Sequence, residues 1–220
     1  MEVHSYSMTA PTVHIIDDDV RLCRAVTRLL RSYNYTVQSY TTAAQFLSQK
    51  FSEPACLLLD LQMPEISGLD VQQILSRGDE RLPIIFVSGH GDIESSVRAM
   101  KAGAIDFLTK PFDDLQLLST IQDAMAVSKQ NMIRRDEFKK DHTAFASLTP
   151  REREVCIGIA QGLLNKQVGY ELGTTEKTVK AQRARVMQKL GAASLPDIVR
   201  IIDRLRAAGA IPAARPHQRT

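Results

Sequence analysis

The 220 residues include 44% hydrophobic and 24% charged side chains, 11 Gly, 9 Pro and no Trp, which excludes disordered, collagen-like and membrane-spanning chains and suits two compact cores. No apolar run approaches the ~20 residues of a membrane span, and the opening MEVHSYSMTAPT has no basic and apolar signal regions, so a cytoplasmic protein with no membrane partner is expected. The net charge of +3 divides unevenly: residues 1–128 hold 10 Lys and Arg against 16 Asp and Glu, and residues 129–220 hold 18 against 9. An acidic first half joined to a basic second half points to two units with different partners, the second partner a polyanion.

The apolar run 13–16 stops at Asp17, Asp18 and Asp19, and residues 20–30 then place Leu22, Val26, Leu29 and Leu30 at helical spacing. That predicts strand, turn and amphipathic helix. Residues 36–40 form a short second strand, Thr41 or Thr42 caps a helix through Leu47, and 55–59 is a continuous apolar run stopped by Asp60. A helix opening near Gly68 carries Leu69, Val71, Ile74 and Leu75; Pro83 precedes the run 84–87; Asp92 caps a helix closed by Gly103. Residues 106–109 are a last short strand, and Asp113 or Asp114 starts a fifth helix reaching into the charged segment beyond. Parallel strands need crossovers and those crossovers are right-handed, so five βα units in a row demand a sheet covered by helices on both faces. The expected fold is α/β, a doubly wound five-stranded parallel sheet, followed by a small all-α domain.

In the second half, Thr149, Pro150 and Glu152 read as a capping box with Pro at the first helical position, starting a helix with Val155, Cys156 and Ile159 that stops at Gly162. Asn165 caps a short helix through Leu172, Gly173 makes a turn, and Thr175 caps a helix reaching Leu190. Ser194, Pro196 and Asp197 repeat the capping pattern for a last helix carrying Leu195, Ile198, Val199, Ile202 and Leu205. Two helices across a short Gly-containing turn make a helix-turn-helix. On a wheel from Thr175, Val179, Val186 and Leu190 share one side, while Lys177, Ala181, Ala184 and Gln188 point away, flanked by Lys180 and Arg185. Small side chains allow approach to a groove floor, and Lys and Arg neutralise phosphates or read guanine edges, so double-stranded DNA is the expected polyanion. Arg183 lies nearer the core side and suits an internal contact equally well. Cys23, Cys56 and Cys156 sit far apart in apolar stretches and read as core thiols.

Functional groups of such sheets gather beyond the carboxyl ends of the strands. Asp17 and Asp18 follow the first strand, Asp60 the third, Ser88 the fourth and Lys110 the fifth, so all converge on one edge. Carboxylates held close repel, and an oxygen-only set relieves this by taking up protons or binding a hard cation such as Mg²⁺. A cation, a lysine and a hydroxyl around a free carboxylate supply the positioning and charge neutralisation of phosphoryl transfer, with Asp60 as nucleophile. A dehalogenase-type phosphatase would need a second Asp two residues after Asp60, where Gln62 stands.

IIDDD, LLLDLQMPEISG, VSGHGD and DFLTKPF make residues 12–126 resemble the flavodoxin-like receiver domain of a two-component response regulator. The resemblance implies that Asp60 is the phospho-acceptor and that Asp17, Asp18, Asp60 and the backbone carbonyl of Gln62 hold Mg²⁺. It further implies that Ser88 hydrogen-bonds the phosphoryl group, Lys110 pairs with it, Met63 and Pro64 shape the loop, and Phe107 is an aromatic switch. LTPREREV and GLLNKQVGYELGTTEKTVKAQRARVMQKLGAASL resemble the LuxR-type helix-turn-helix, implying a DNA-facing set of Lys177, Thr178, Lys180, Ala181, Arg183, Ala184 and Arg185. Family members commonly carry His where Gln182 stands, and some carry a basic residue in place of Ala184.

The whole chain thus resembles a NarL/FixJ-type transcriptional regulator, with an N-terminal tail (1–11), receiver (12–126), helical linker (127–146), DNA-binding domain (147–206) and C-terminal tail (207–220). Implied partners are a sensor histidine kinase, promoter DNA, RNA polymerase and, on phosphorylation, a second copy meeting it through the fourth helix, last strand and fifth helix. No enzymatic role is expected beyond assisting its own phosphorylation and dephosphorylation. The competing reading is a phosphate sink or adaptor whose basic domain grips protein rather than DNA.

Overall fold

Strands β1 (Thr12–Ile16), β2 (Thr36–Tyr40), β3 (Ala55–Asp60), β4 (Ile84–Ser88) and β5 (Asp106–Thr109) pair in parallel in the order β2-β1-β3-β4-β5. They belong to a computed structural model that describes residues 10–49, 54–78, 82–89 and 93–212. The chain divides into two compact units, Met1–Ile133 and Arg134–Thr220. β1, β3 and β4 are buried along their whole length, so they show no alternation of apolar and solvent-facing residues, and even His14 in β1 is enclosed.

The period of two still sorts their side chains between two cores. Val13, Ile15, Cys56, Leu58, Ile85 and Val87 pack with Leu30 of α1 (Val20–Ser32) and with Leu117 and Ile121 of α5 (Asp114–Ala146). Ile16, Leu57, Leu59 and Phe86 pack on the other face with Phe46 of α2 (Ala43–Leu47), Val71 of α3 (Gly68–Ser76) and Ala99 of α4 (Ile93–Lys101). The chain leaves β1 for β2 on one side and returns to β3 on the other, so the direction of winding reverses between β1 and β3. Loops diverge above that point and leave a crevice at the carboxyl ends of the strands.

Helix starts follow local capping chemistry. Asp19 caps α1, Thr42 caps α2, Ser67 caps α3, and Asp113 accepts from the amides of Leu115 and Gln116 at the start of α5. The expected Asp92 cap lies outside the described residues. Gly68 answers a close approach: a Cβ there would stand 2.4 Å from the Asp60 carbonyl oxygen and 2.9 Å from the Phe86 ring. Only glycine lets α3 start this near the end of β3.

α5 carries the chain across the division after Ile133, inside the segment expected as a linker, and its later residues Phe138, Ala144 and Phe145 join the core of the second unit. That core also takes Val155, Cys156 and Ile159 of α6 (Pro150–Ala160), Val168 of α7 (Asn165–Glu171), Val179, Val186 and Leu190 of α8 (Glu176–Leu190), and Ile198, Ile202 and Leu205 of α9 (Leu195–Ala207). The capping box of α6 is formed, Thr149 N–H donating to Glu152 at 2.9 Å and Glu152 N–H to the Thr149 hydroxyl at 3.3 Å. α7 starts one residue earlier than the sequence reading placed it: Leu164 is the N-cap and Asn165 the first helical residue. Gln167 serves the cap by accepting from the Leu164 amide at 2.8 Å, which leaves the Asn165 side chain for another partner. Gly173, at φ +61°, turns the chain into α8, and a Cβ on Gly169 would meet the Thr174 carbonyl at 2.9 Å. All three cysteines are buried and free, as expected.

Candidate functional site

Asp17 follows β1, Asp60 ends β3, Ser88 ends β4 and Lys110 follows β5, so the four groups meet above the β1/β3 reversal and the strands beside it. Asp17 is 0% exposed, Asp60 5% and Ser88 0%, whereas Asp18 is exposed. Lys110 Nζ donates to Asp17 Oδ2 at 2.7 Å and lies 3.4 Å from Asp60 Oδ2. The Lys110 amide donates to the Ser88 carbonyl at 2.7 Å, continuing the β4–β5 ladder by one step and fixing the root of the lysine side chain. The Gln62 amide lies 3.4 Å from Asp60 Oδ1, so the two oxygens of Asp60 face different donors.

Burial, reinforced by the Asp17 carboxylate, pushes the Asp60 carboxyl above the ordinary carboxylate value despite the opposing pull of Lys110. Burial alone would lower Lys110, but its hydrogen bond to Asp17 and the two negative charges outweigh it and hold the ammonium above its usual value. Asp60 is therefore a carboxylate kept short of solvent beside a cation that stays charged.

Carboxylate oxygens of Asp17, Asp18 and Asp60 all lie within 4.8 Å of one another. This donor set is oxygen only and fits a hard divalent cation rather than zinc, which takes nitrogen and sulfur readily. Phe107 is half-buried on β5, its ring stacked 6.5 Å from that of Phe86, and it packs in the core that includes Ala99 of α4.

A second candidate site lies on α8. Lys177, Thr178, Lys180, Ala181, Ala184 and Arg185 are exposed, while Val179, Val186 and Leu190 are buried, as the wheel predicts. Arg183 is the less exposed member of the set. It is half-buried, and its Nη1 lies 3.4 Å from Asn165 Oδ1, the oxygen released by the earlier start of α7. The Thr178 hydroxyl is already paired with that of Thr175 at 2.9 Å, within the N-cap of α8.

Sequence reasoning treated Asp19 only as part of a turn. In the structure it is the N-cap of α1, accepting from the amides of Arg21 and Leu22 at 2.8 and 3.2 Å, while its own amide donates to Asp17 Oδ1 at 2.9 Å. The signal was present, since an Asp directly before an apolar helical pattern is an N-cap signature.

Residues 13–122 match the family described as response regulator receiver domain, and residues 146–202 match bacterial regulatory proteins of the luxR family. The response regulator protein TodT of Pseudomonas putida is 42% identical over 201 residues, covering 90% of this chain and 87% of its own. The transcriptional regulatory protein FixJ of Azorhizobium caulinodans is 38% identical over 190 residues, covering 86% and 90%. The solved structure of the response regulator StyR superimposes with a TM-score of 0.76 at 39% identity, covering 89% of this chain and all of that one.

Proposed function

The chain belongs to the NarL/FixJ-type response regulators, with a receiver domain and a LuxR-type DNA-binding domain, and on that premise we propose that a phosphoryl group received on Asp60 switches its binding to promoter DNA. The observation that carries this reading is the placement of Lys110 Nζ 2.7 Å from Asp17 and 3.4 Å from Asp60 at the β1/β3 reversal. A sensor histidine kinase supplies the group: the phosphorus–nitrogen bond of its phosphohistidine breaks, a bond from Asp60 to phosphorus forms, and the imidazole leaves with a proton. Asp17, Asp18, Asp60 and the Gln62 carbonyl would hold Mg²⁺, which supplies charge neutralisation when bound. Lys110 neutralises further charge, and Ser88 hydrogen-bonds the phosphoryl oxygens. The cytoplasmic protein turns over no separate substrate; its chemistry is gaining and losing this one group.

The new dianion biases the loop after β4 and the Phe107 ring, and a second copy then meets the α4–β5–α5 face. Ile93, Val97 and Met100 of α4 and Leu115 of α5 are exposed there, an apolar set that association would cover. In the second unit, Lys177, Lys180 and Arg185 contact phosphates or guanine edges while Ala181 and Ala184 approach the groove floor, with RNA polymerase as a further partner at the promoter.

The testing experiment mixes the full chain with acetyl phosphate and Mg²⁺, follows a labile phosphate on Asp60, and compares promoter-fragment binding before and after. Asp60→Asn is expected to take up no phosphate. A Mg²⁺-dependent labile phosphate on that variant overturns the acceptor assignment. Binding to a protein but to no DNA fragment in either state would favour the adaptor reading.

A further inference from the structure

We propose that Asp19, the third acidic residue of IIDDD, is a positioning residue that orients the Asp17 carboxylate by capping α1. The inference rests on the reading of Asp17 as a cation-holding group of the acceptor site. Two hydrogen-bond systems meet at this residue. Asp19 Oδ1 accepts from the amides of Arg21 and Leu22, at 2.8 and 3.2 Å, which satisfies two of the donors that a helix start otherwise leaves open. The Asp19 amide donates to Asp17 Oδ1 at 2.9 Å.

With Lys110 on Oδ2 at 2.7 Å, both oxygens of Asp17 have a donor. One donor is a flexible side chain and the other is main chain. The main-chain donor is only as well placed as the turn that carries it, and that turn is closed at its far end by the Asp19 side chain. The Asp17 carbonyl also accepts from Cys23 Sγ at 3.5 Å, so the first turn of α1 holds this aspartate at a second point.

The role proposed for Asp19 is that of an acceptor rather than of a further charge in the cluster. The carboxylates that converge within 4.8 Å are those of Asp17, Asp18 and Asp60, and Oδ1 of Asp19 is turned to the helix start. The relevant property is therefore an acceptor at the N-cap, which Asn and Ser also provide and Ala lacks.

Mn²⁺ titration of the full chain, read by electron paramagnetic resonance, tests this together with hydrogen exchange of the residue-19 amide in the metal-free protein. Asp19→Ala is expected to weaken Mn²⁺ binding about five-fold, the loss that corresponds to a typical N-cap, and to speed exchange of that amide. Asp19→Asn and Asp19→Ser are expected to restore both to within about two-fold. Should the alanine variant fail to fold, Asp19→Gly, an N-cap with no side-chain acceptor, carries the same comparison. Two results overturn the proposal: Asp19→Asn as damaging as Asp19→Ala, which would make charge the operative property, or an acceptor-less variant with unchanged affinity and unchanged exchange. Failure of the wild-type chain to bind Mn²⁺ would strike the acceptor-site reading instead, and the amide exchange in metal-free protein would still report on the cap.

Discussion

The two units use buried and exposed charge in opposite ways. In the first, the groups proposed to react are withdrawn from solvent at the head of the sheet, Asp17 and Asp60 buried and Lys110 half-buried between them. In the second, the buried charges hold helices together: Glu152 takes the Lys189 ammonium at 2.6 Å, and Asp141 takes Arg204 Nε at 2.7 Å. The cations proposed to meet DNA stand in solvent on α8. Each arrangement suits its task. A carboxylate that is to attack phosphorus gains from fixed partners and little water, whereas cations that neutralise phosphates act by releasing counterions and need access, not burial.

The comparison predicts first that Asp60→Asn separates function from stability. Phosphorylation from acetyl phosphate is abolished, yet the first unit melts higher at pH 7 in metal-free buffer. The sign follows from the raised carboxyl of Asp60: a group whose charged form is disfavoured in the folded state costs stability above its folded value, and a neutral isostere removes that cost. Calorimetry showing a lower melting temperature would contradict the view that the ionised Asp60 carboxyl costs the first unit stability.

Gly68→Ala should come next in size. Its Cβ would sit 2.4 Å from the Asp60 carbonyl, so the start of α3 must shift, at about 1–3 kcal/mol of stability and with slower phosphorylation. Urea titration and phosphate uptake read the two effects, and an unchanged midpoint would show that α3 moves away freely.

Lys180→Ala and Arg185→Ala should each weaken DNA binding and flatten its salt dependence by about one unit of slope, leaving the melting of the second unit unchanged. Fluorescence anisotropy across a salt series separates this from base reading, which costs ~1–3 kcal/mol at one position. If both variants keep wild-type affinity and slope, the exposed face of α8 is a solvated surface or a protein contact.

The smallest effects are pH dependences that distinguish the units. Burial of His14 beside Tyr40 and Phe46 lowers its imidazole from 6.5 to about 4. The unfolded chain therefore binds the proton first, and the contribution of His14 to the first unit is lost as pH falls from 6.5 toward 4. Glu152 is depressed from 4.5 to about 2 by Lys189 and the Thr149 amide, so its contribution to the second unit persists to lower pH and is lost between 4.5 and 2. Acid titration followed by NMR reporters in each unit should show the first loosening earlier, and His14→Gln should reduce that difference.

The sheet was legible because its strands are short apolar runs ending in polar groups, and Asp17, Asp18, Asp60, Ser88 and Lys110 could be aligned by a topological rule alone. The outward face of α8 was legible from helical periodicity. What escaped depends on contacts between distant residues. Nothing local marks Lys189 as the partner of Glu152 or Arg204 as the partner of Asp141, 37 and 63 residues away. Arg183 was readable only as ambiguous, because its neighbour Asn165 lies on another helix and was itself misplaced by one residue at the start of α7. Gly68 looked like a helix opener, while its reason, the nearby Asp60 carbonyl, belongs to the end of another element.

The split character of α8 has a consequence for how such a regulator can change over generations. Val179, Val186 and Leu190 anchor the helix, and Gly169 and Gly173 set the turn that delivers it, but Ala181, Ala184, Arg185 and Gln188 stand in solvent on the opposite side. Substitutions at those outward positions leave the core contacts untouched, so, on the proposed DNA-facing role of this surface, the set of sequences it reads can drift, or be rewritten by grafting, without renegotiating the fold.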